Sequence, residues 1–167
     1  ARQTATSDVL RVISSSVADT APVFDKILDS CHHLFATEQL GIFLVGDDNL
    51  LHVAAWRGSA LDAVVRTYPK PLDQTITSQV IRTRRPVHVP DVAAMAGLPA
   101  AMRNVVELIG NCSIALVPML WEDRGVGSIA VLRQPPHPLN EKDLTLLKTF
   151  ADQAVIAIQN ARLFREI

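Results

Sequence analysis

The stretch whose reading decides the fold is residues 139–167, LNEKDLTLLKTFADQAVIAIQNARLFREI. Leu139-Asn140-Glu141-Lys142-Asp143 reads as a helix start. A polar cap can accept a first-turn N–H, and acids in that turn meet the positive end of the helix dipole. No Gly or Pro interrupts residues 144–167. At about 3.6 residues per turn, Leu144, Leu147, Phe150, Ala151, Ala154, Val155, Ala157, Ile158, Ala161 and Phe164 fill about half the circumference. A band that broad predicts two neighbours, a sheet beneath and another helix alongside. Thr145, Thr149, Asp152 and Gln159 form the opposite, polar stripe, interrupted by Ile156 and Leu163. No C-cap glycine or proline closes the helix. We therefore expect 160–167 to belong to a helix that runs on into a neighbouring module.

The rest of the chain supplies the neighbours. Gln39 to Val45 and Leu50 to Trp56 flank Gly46-Asp47-Asp48-Asn49, a turn-forming set, and read as a β-hairpin. Leu40, Ile42 and Leu44 point one way along it and Phe43 and Val45 the other, so both faces are expected to be covered. A second hairpin pairs Ser113 to Trp121 with Gly127 to Arg133 across Glu122-Asp123-Arg124-Gly125, where we expect Gly125 to take the left-handed conformation. Ahead of the first hairpin the spacing predicts two helices. One lies over residues 6–17 with Val9, Leu10, Val12, Ile13 and Val17, ends at Ser14-Ser15-Ser16, and is expected to continue an inter-domain helix over 1–17. The other is capped by Thr20, tolerates Pro22 in its first turn, and buries Phe24, Ile27, Leu28, Cys31, Leu34 and Phe35. The middle, residues 57–111, is irregular. Arg66 to Pro71 is a loop broken by two prolines, Gln74 to Arg84 a helix, and Arg85 to Asp91 an edge strand fenced by prolines. Val92 to Pro99 is soft and small, and Met102 to Ile109 is a short helix closed by Gly110.

Composition bounds the function. The 167 residues are 49% apolar and 20% charged, which is ample for one core and one domain over 1–167. Lys and Arg number 16 against 17 Asp and Glu, a net charge of −1, so the basic surplus that nucleic acid or an anionic membrane recruits is missing. No apolar run reaches the roughly 18 residues that span a bilayer. The two cysteines lie far apart and make no disulfide framework, which fits a reducing, cytoplasmic setting.

The element order predicts an α+β domain, a central antiparallel sheet with N- and C-terminal helices on one face and an irregular, pocket-forming segment on the other. At this point the residues carry a resemblance. Ser113-Ile114-Ala115-Leu116-Val117-Pro118-Met119-Leu120, Gly125-Val126-Gly127-Ser128-Ile129-Ala130-Val131 and Phe150 to Phe164 resemble the C-terminal half of a GAF domain. Arg85 to Val92 and Val9 to Ser14 resemble earlier parts of that family. The likeness covers nearly the whole chain and is nearest to the GAF modules of bacterial sensor histidine kinases and related signalling proteins. It implies a small-molecule pocket between sheet and irregular middle, and terminal helices that pair with a second copy and pass a signal to an effector domain.

The resemblance also raises chemistries to test against the residues. GAF domains that carry a bilin usually attach it through a pocket cysteine, often followed by histidine. Cys31-His32 has that order but sits on a helix face read as core, and Cys112 is followed by Ser113, so no covalent chromophore is expected. Haem would need a histidine ligand, and His52, His88 and His137 read as surface or strand-face residues rather than as ligands. Adjacent His32 and His33 diverge by about 100° on a helix and do not share a metal. The Asn-Lys…Phe…Asp-Glu pattern of cyclic-nucleotide binding is missing. Free methionine sulfoxide reduction, also known in the family, uses more pocket cysteines than this chain has. No nucleophile constellation appears, and the domain is expected not to be catalytic. What is left is a pocket for a modest organic ligand of unknown identity. Trp56, Met95, Met102 and Val106 would supply an adaptable apolar lining, with Arg57, Asp91 and Ser113 as polar handles. A ligand-free dimerisation spacer is the alternative. For a homodimer, Val9 and Ile13 on the first helix and Ile156 and Leu163 on the last, seven residues apart, would form the seam.

Overall fold

The computed structural model describes residues 5–35, 37 and 39–166, and side chains within 20–35, 37 and 39–161. The chain opens with α1 (Ala5–Phe35). The first hairpin is β1 (Gln39–Val45) and β2 (Leu50–Arg57). The middle carries α2 (Leu61–Thr67), β3 (Lys70–Pro71), a 3-10 turn at Leu72–Gln74 and α3 (Thr77–Thr83). It continues with β4 (Val87–Val89), a second 3-10 turn at Val92–Ala94 and α4 (Ala100–Ile109). The second hairpin, β5 (Ser113–Trp121) and β6 (Arg124–Arg133), leads into α5 (Glu141–Glu166). The six strands form one antiparallel sheet in the order β3-β2-β1-β6-β5-β4. The two hairpins thus meet through β1 and β6 at the centre, in the α+β class expected.

Strand alternation sorts the core into two layers. Leu40, Ile42 and Leu44 of β1 join Ala115, Val117, Met119, Ile129 and Val131 on the face covered by α1 and α5. Phe43 joins Ile114, Leu116, Ala130 and Leu132 on the other face, covered by Val64, Ile76, Val80, Val92, Met102 and Val105 of the middle segment. Each Leu, Ile, Val, Phe or Met among them contributes roughly 1.5–3 kcal/mol when buried in full, so neither face could stand uncovered.

α5 starts as its sequence predicts. Asn140 Oδ1 accepts the Asp143 N–H at 2.8 Å, and Asp143 Oδ2 accepts the Asn140 N–H at 3.5 Å, a reciprocal cap. Leu147, Ala151, Ala154, Val155 and Ile158 are buried, the alanines letting the helix lie close on the sheet, and α1 packs alongside.

Three expectations are corrected. The two N-terminal helices are one, because α1 runs through Ser14-Ser15-Ser16 and carries Pro22 in its interior. Serine costs only a few tenths of a kcal/mol in a helix, and Phe24, Ile27, Leu28, Cys31 and Phe35 bury a continuous stripe that offsets the hydrogen bond proline removes. Leu34 lies off that stripe, exposed. At the second hairpin the left-handed residues are Glu122 (φ 51°) and Asp123 (φ 66°), a two-residue turn whose twist suits the strands. Gly125 sits instead inside β6, where a Cβ would come within 2.3 Å of Ile81 Cγ2 on α3. Finally, the loop expected over Arg66 to Pro71 is partly regular: α2 takes up Arg66 and Thr67, burying Ala63, Val64 and Thr67, and β3 comes next.

Candidate functional site

A cavity of about 20 Å³ lies between the sheet and the middle segment, room for one water-sized occupant. Its floor is Phe43 of β1, Trp56 of β2, Ile114 and Leu116 of β5, and Ala130 and Leu132 of β6. Val64 of α2, Tyr68, Ile76 and Thr77 form the walls, and Met102 and Val105 of α4 the roof. No side chain of the lining is charged. Phe43 sits at the centre of an aromatic trio, its ring 4.8 Å from that of Tyr68 and 6.2 Å from that of Trp56. Burial pushes the Tyr68 phenol well above its ordinary pKa. Thr77 Oγ1 and Ser128 Oγ hydrogen-bond each other at 2.9 Å.

Trp56 reaches this position because its cross-strand partner is Gly41. A Cβ there would lie 2.3 Å from Trp56 Cε3 and 2.9 Å from Cζ3. The indole thus rests its benzo edge on the β1 backbone, and the opposite edge carries Nε1 away from that strand. Nε1 is buried and has no hydrogen-bond partner among the described residues.

Of the residues expected to bind ligand, Trp56 and Met102 line the cavity. Val106 packs against the same cluster, but Val105, one helical step earlier, is the residue that faces in. Met95 is half-buried beyond the second 3-10 turn, its N–H donating to Val92 O at 3.1 Å, and does not line the cavity. The three polar handles point elsewhere. Arg57 projects from the other face of β2, where Nη1 donates to Asp29 Oδ1 at 2.6 Å and Nη2 to the Asp25 carbonyl at 3.3 Å. Asp91 Oδ1 accepts from Asn111 Nδ2 at 2.7 Å, while Asn111 Oδ1 accepts the Ala93 N–H at 2.8 Å and the Cys112 N–H at 2.9 Å. That set ties the approach to α4 onto the start of β5. Ser113 is buried, its Oγ accepting the His137 N–H at 3.0 Å. The residues not anticipated are mainly Phe43, Tyr68, Thr77, Ile114 and Leu116. Strand parity with Phe43 was the available signal for Ile114 and Leu116.

The cysteines occupy opposite faces of the sheet, Cys31 among the helices and Cys112 in the layer beneath the middle segment. Burial pushes the Cys31 thiol up to about 12; burial, and then the nearby Asp91 carboxylate, push Cys112 up to about 11. Neither offers a thiolate at neutral pH. His88 on β4 is held below its ordinary pKa by burial and by Arg133, and its Nε2 has no partner among the described residues. Among those residues no three His, Cys, Asp or Glu side chains are grouped to hold a metal ion, and no helix is long and apolar enough to cross a membrane.

On the helical side, a groove of about 510 Å³ runs between α1 and α5, lined by Thr20, Val23, Gln153, Ile156, Ala157, Asn160 and Ala161. Ile156 is 54% exposed there. Val9, Ile13 and Leu163, the other residues of the expected seam, have side chains outside the described residues.

An antiparallel sheet with terminal helices on one face and a cavity under an irregular segment on the other defines a class of small α+β domain. The family model for the GAF domain matches residues 17–159, and the chain belongs to that family. Solved structures agree on the fold. A domain assigned to a two-component sensor histidine kinase of Sinorhizobium meliloti 1021 superposes with a TM-score of 0.70 at 18% identity, covering 85% of this chain and 92% of that one. A GAF domain/HD domain protein from Geobacter sulfurreducens gives 0.74 at 18% identity, over 89% and 97%. Residues 122 to 287 of a methyl-accepting chemotaxis protein give 0.69 at 24% identity, over 95% and 99%. Among curated proteins no sequence is similar enough to count as a match.

Proposed function

We propose that this chain is a small-molecule-sensing input domain of a bacterial signal-transduction protein, with a sensor histidine kinase as the parent. It works in the cytoplasm, as a homodimer, and without catalysis of its own. The observation that carries the reading is the two-sided sheet. β1, β5 and β6 each send alternate side chains into the cavity layer and into the layer under α1 and α5. A ligand that shifts Phe43, Leu116 or Ala130 therefore acts on strands whose next residues, Ile42, Leu44, Val117 and Ile129, support the terminal helices. Packed layers transmit small displacements because they are close to incompressible. The kinase and chemotaxis parents of the similar structures support a signalling setting, and the two high-pKa thiols argue against covalent tetrapyrrole attachment.

The second reading is a ligand-free dimerisation spacer, favoured by the cavity's present volume of about 20 Å³. A fragment screen by ligand-observed NMR, followed by hydrogen exchange, separates the two. The sensing reading expects bound fragments to slow exchange of the amides over 100–109. Fragments that protect only α1 and α5, or a library that yields no binder, would leave the spacer.

A further inference from the structure

We infer that the cavity's ligand is a small, uncharged aromatic molecule with one hydrogen-bond acceptor, anchored on Trp56 Nε1; this rests on the sensing reading and names its ligand class.

Three observations converge. The lining has no charged side chain, so an ionic ligand would lose its hydration with nothing to replace it. Phe43 packs on Tyr68 and on Trp56 with ring centroids 4.8 and 6.2 Å apart, so the lining is an aromatic surface, and a ligand that is itself an aromatic ring can add to such packing edge-to-face or offset. The third observation sets the polarity. Thr77 and Ser128 satisfy each other, whereas Trp56 Nε1 is buried and unpartnered among the described residues. Indole N–H only donates, so the complementary group on the ligand is an acceptor such as a carbonyl or ether oxygen.

Size adds a condition. A cavity that admits a benzene ring is on the order of 150 Å³, against about 20 Å³ here. A ring enters only if α4 lifts from the sheet. That helix is flanked by Pro99 and by Gly110, whose φ of 95° suits glycine. Its roof residue Met102 is unbranched and adapts its shape cheaply.

The test uses acetophenone, its apolar counterpart ethylbenzene, and benzoate. The chain has two tryptophans, Trp56 and Trp121, so a nitrogen–proton correlation spectrum holds two indole N–H resonances, assigned with Trp121→Phe. Acetophenone is expected to bind at least about tenfold more tightly than ethylbenzene, the factor equivalent to about 1.4 kcal/mol, and to move the Trp56 N–H downfield. Benzoate is expected not to bind. Trp56→Phe should bring acetophenone down to the level of ethylbenzene; because the shift is read on the native chain, the test does not depend on that variant folding. Equal affinities with an unmoved Trp56 N–H, tighter binding of benzoate, or no binding by any of the three would each overturn the inference. The sensing reading falls separately, only if no fragment of any class slows exchange over 100–109.

Discussion

Arg57 Nη1 donates to Asp29 Oδ1 at 2.6 Å, joining β2 to α1 one residue along the chain from the indole that closes the cavity. Trp56 faces the cavity and Arg57 the helix because neighbouring strand residues project to opposite faces. The pair therefore puts the cavity floor and the contact to α1 on neighbouring residues of β2. Under the sensing proposal it is one contact through which a displaced Trp56 would act on the helical layer.

As a source of stability the pair is modest. Both side chains are substantially solvated, so screening leaves it about 0.2–1 kcal/mol. Arg57→Ala or Asp29→Ala is expected to lower stability by less than about 1 kcal/mol, and salt should erase most of the coupling between them. Urea denaturation of both single variants and the double variant, at low and high salt, measures this. A coupling that salt does not touch would mean the pair is more deeply desolvated than its exposure indicates.

Gly41 is a stricter requirement. An added methyl would meet Trp56 Cε3 at 2.3 Å and the Ala55 carbonyl oxygen at 2.8 Å. The indole can swing aside but the carbonyl cannot. Gly41→Ala should cost about 1–3 kcal/mol, the usual range for overpacking. It should also change the Trp56 fluorescence. A fully stable variant with unaltered emission would show that β1 and β2 separate more easily than their register implies.

Whether a feature is legible in sequence depends on what determines it. The two faces of Leu40, Ile42, Leu44 and Phe43 are legible because period-two alternation is set by the pleat itself. The Asn140 cap and the Gly110 stop are legible because local backbone chemistry decides them. α2 is hidden because seven residues, LDAVVRT, span two turns and show no lasting period. α1 passes through Pro22 because burial of its far half outweighs a local break, which no local signal reports. Arg57 was legible and misread: once Trp56 is placed in the cavity, parity sends its neighbour to the other face. Asp91 and Ser113 carry polar atoms that the fold spends on loop and strand ends, and only three-dimensional partners reveal that.

The Cys31 thiol makes stability depend on alkaline pH. Burial raises it from 9.0 to about 12, so the folded chain keeps a proton that the unfolded chain loses near 9. Below that pH the thiol contributes no slope. Between about 9 and 12 the unfolded state binds fewer protons, and stability falls by up to about 1.4 kcal/mol per pH unit. Denaturation at pH 8, 9.5 and 10.5 should show a steeper decline in the native chain than in Cys31→Ala. Parallel declines would mean that the thiol is solvated in the native state.

The last prediction concerns the helical face. Val23 on α1 and Ile156 on α5, 43% and 54% exposed, lie in one groove between the helices. Single exposed apolar residues are ordinary, but two on adjacent helices beside small Ala157 and Ala161 make a surface another helix can approach closely. Ile156 and Leu163 are seven residues apart in the sequence, the spacing at which a coiled-coil seam repeats. Under the homodimer proposal a second copy lays its own α1 and α5 along this groove. Burial of both residues and their symmetry mates, at about 25 cal/mol per Å², contributes on the order of a few kcal/mol, which by itself supports association no tighter than about millimolar. Light scattering over a concentration series should therefore show a dimer that Ile156→Glu, and more fully Val23→Glu with Ile156→Glu, converts to monomer while the melting temperature of the fold barely moves. A dimer indifferent to both charges would put the contact on another surface, and a native chain monomeric at high concentration would remove the homodimer from the proposal.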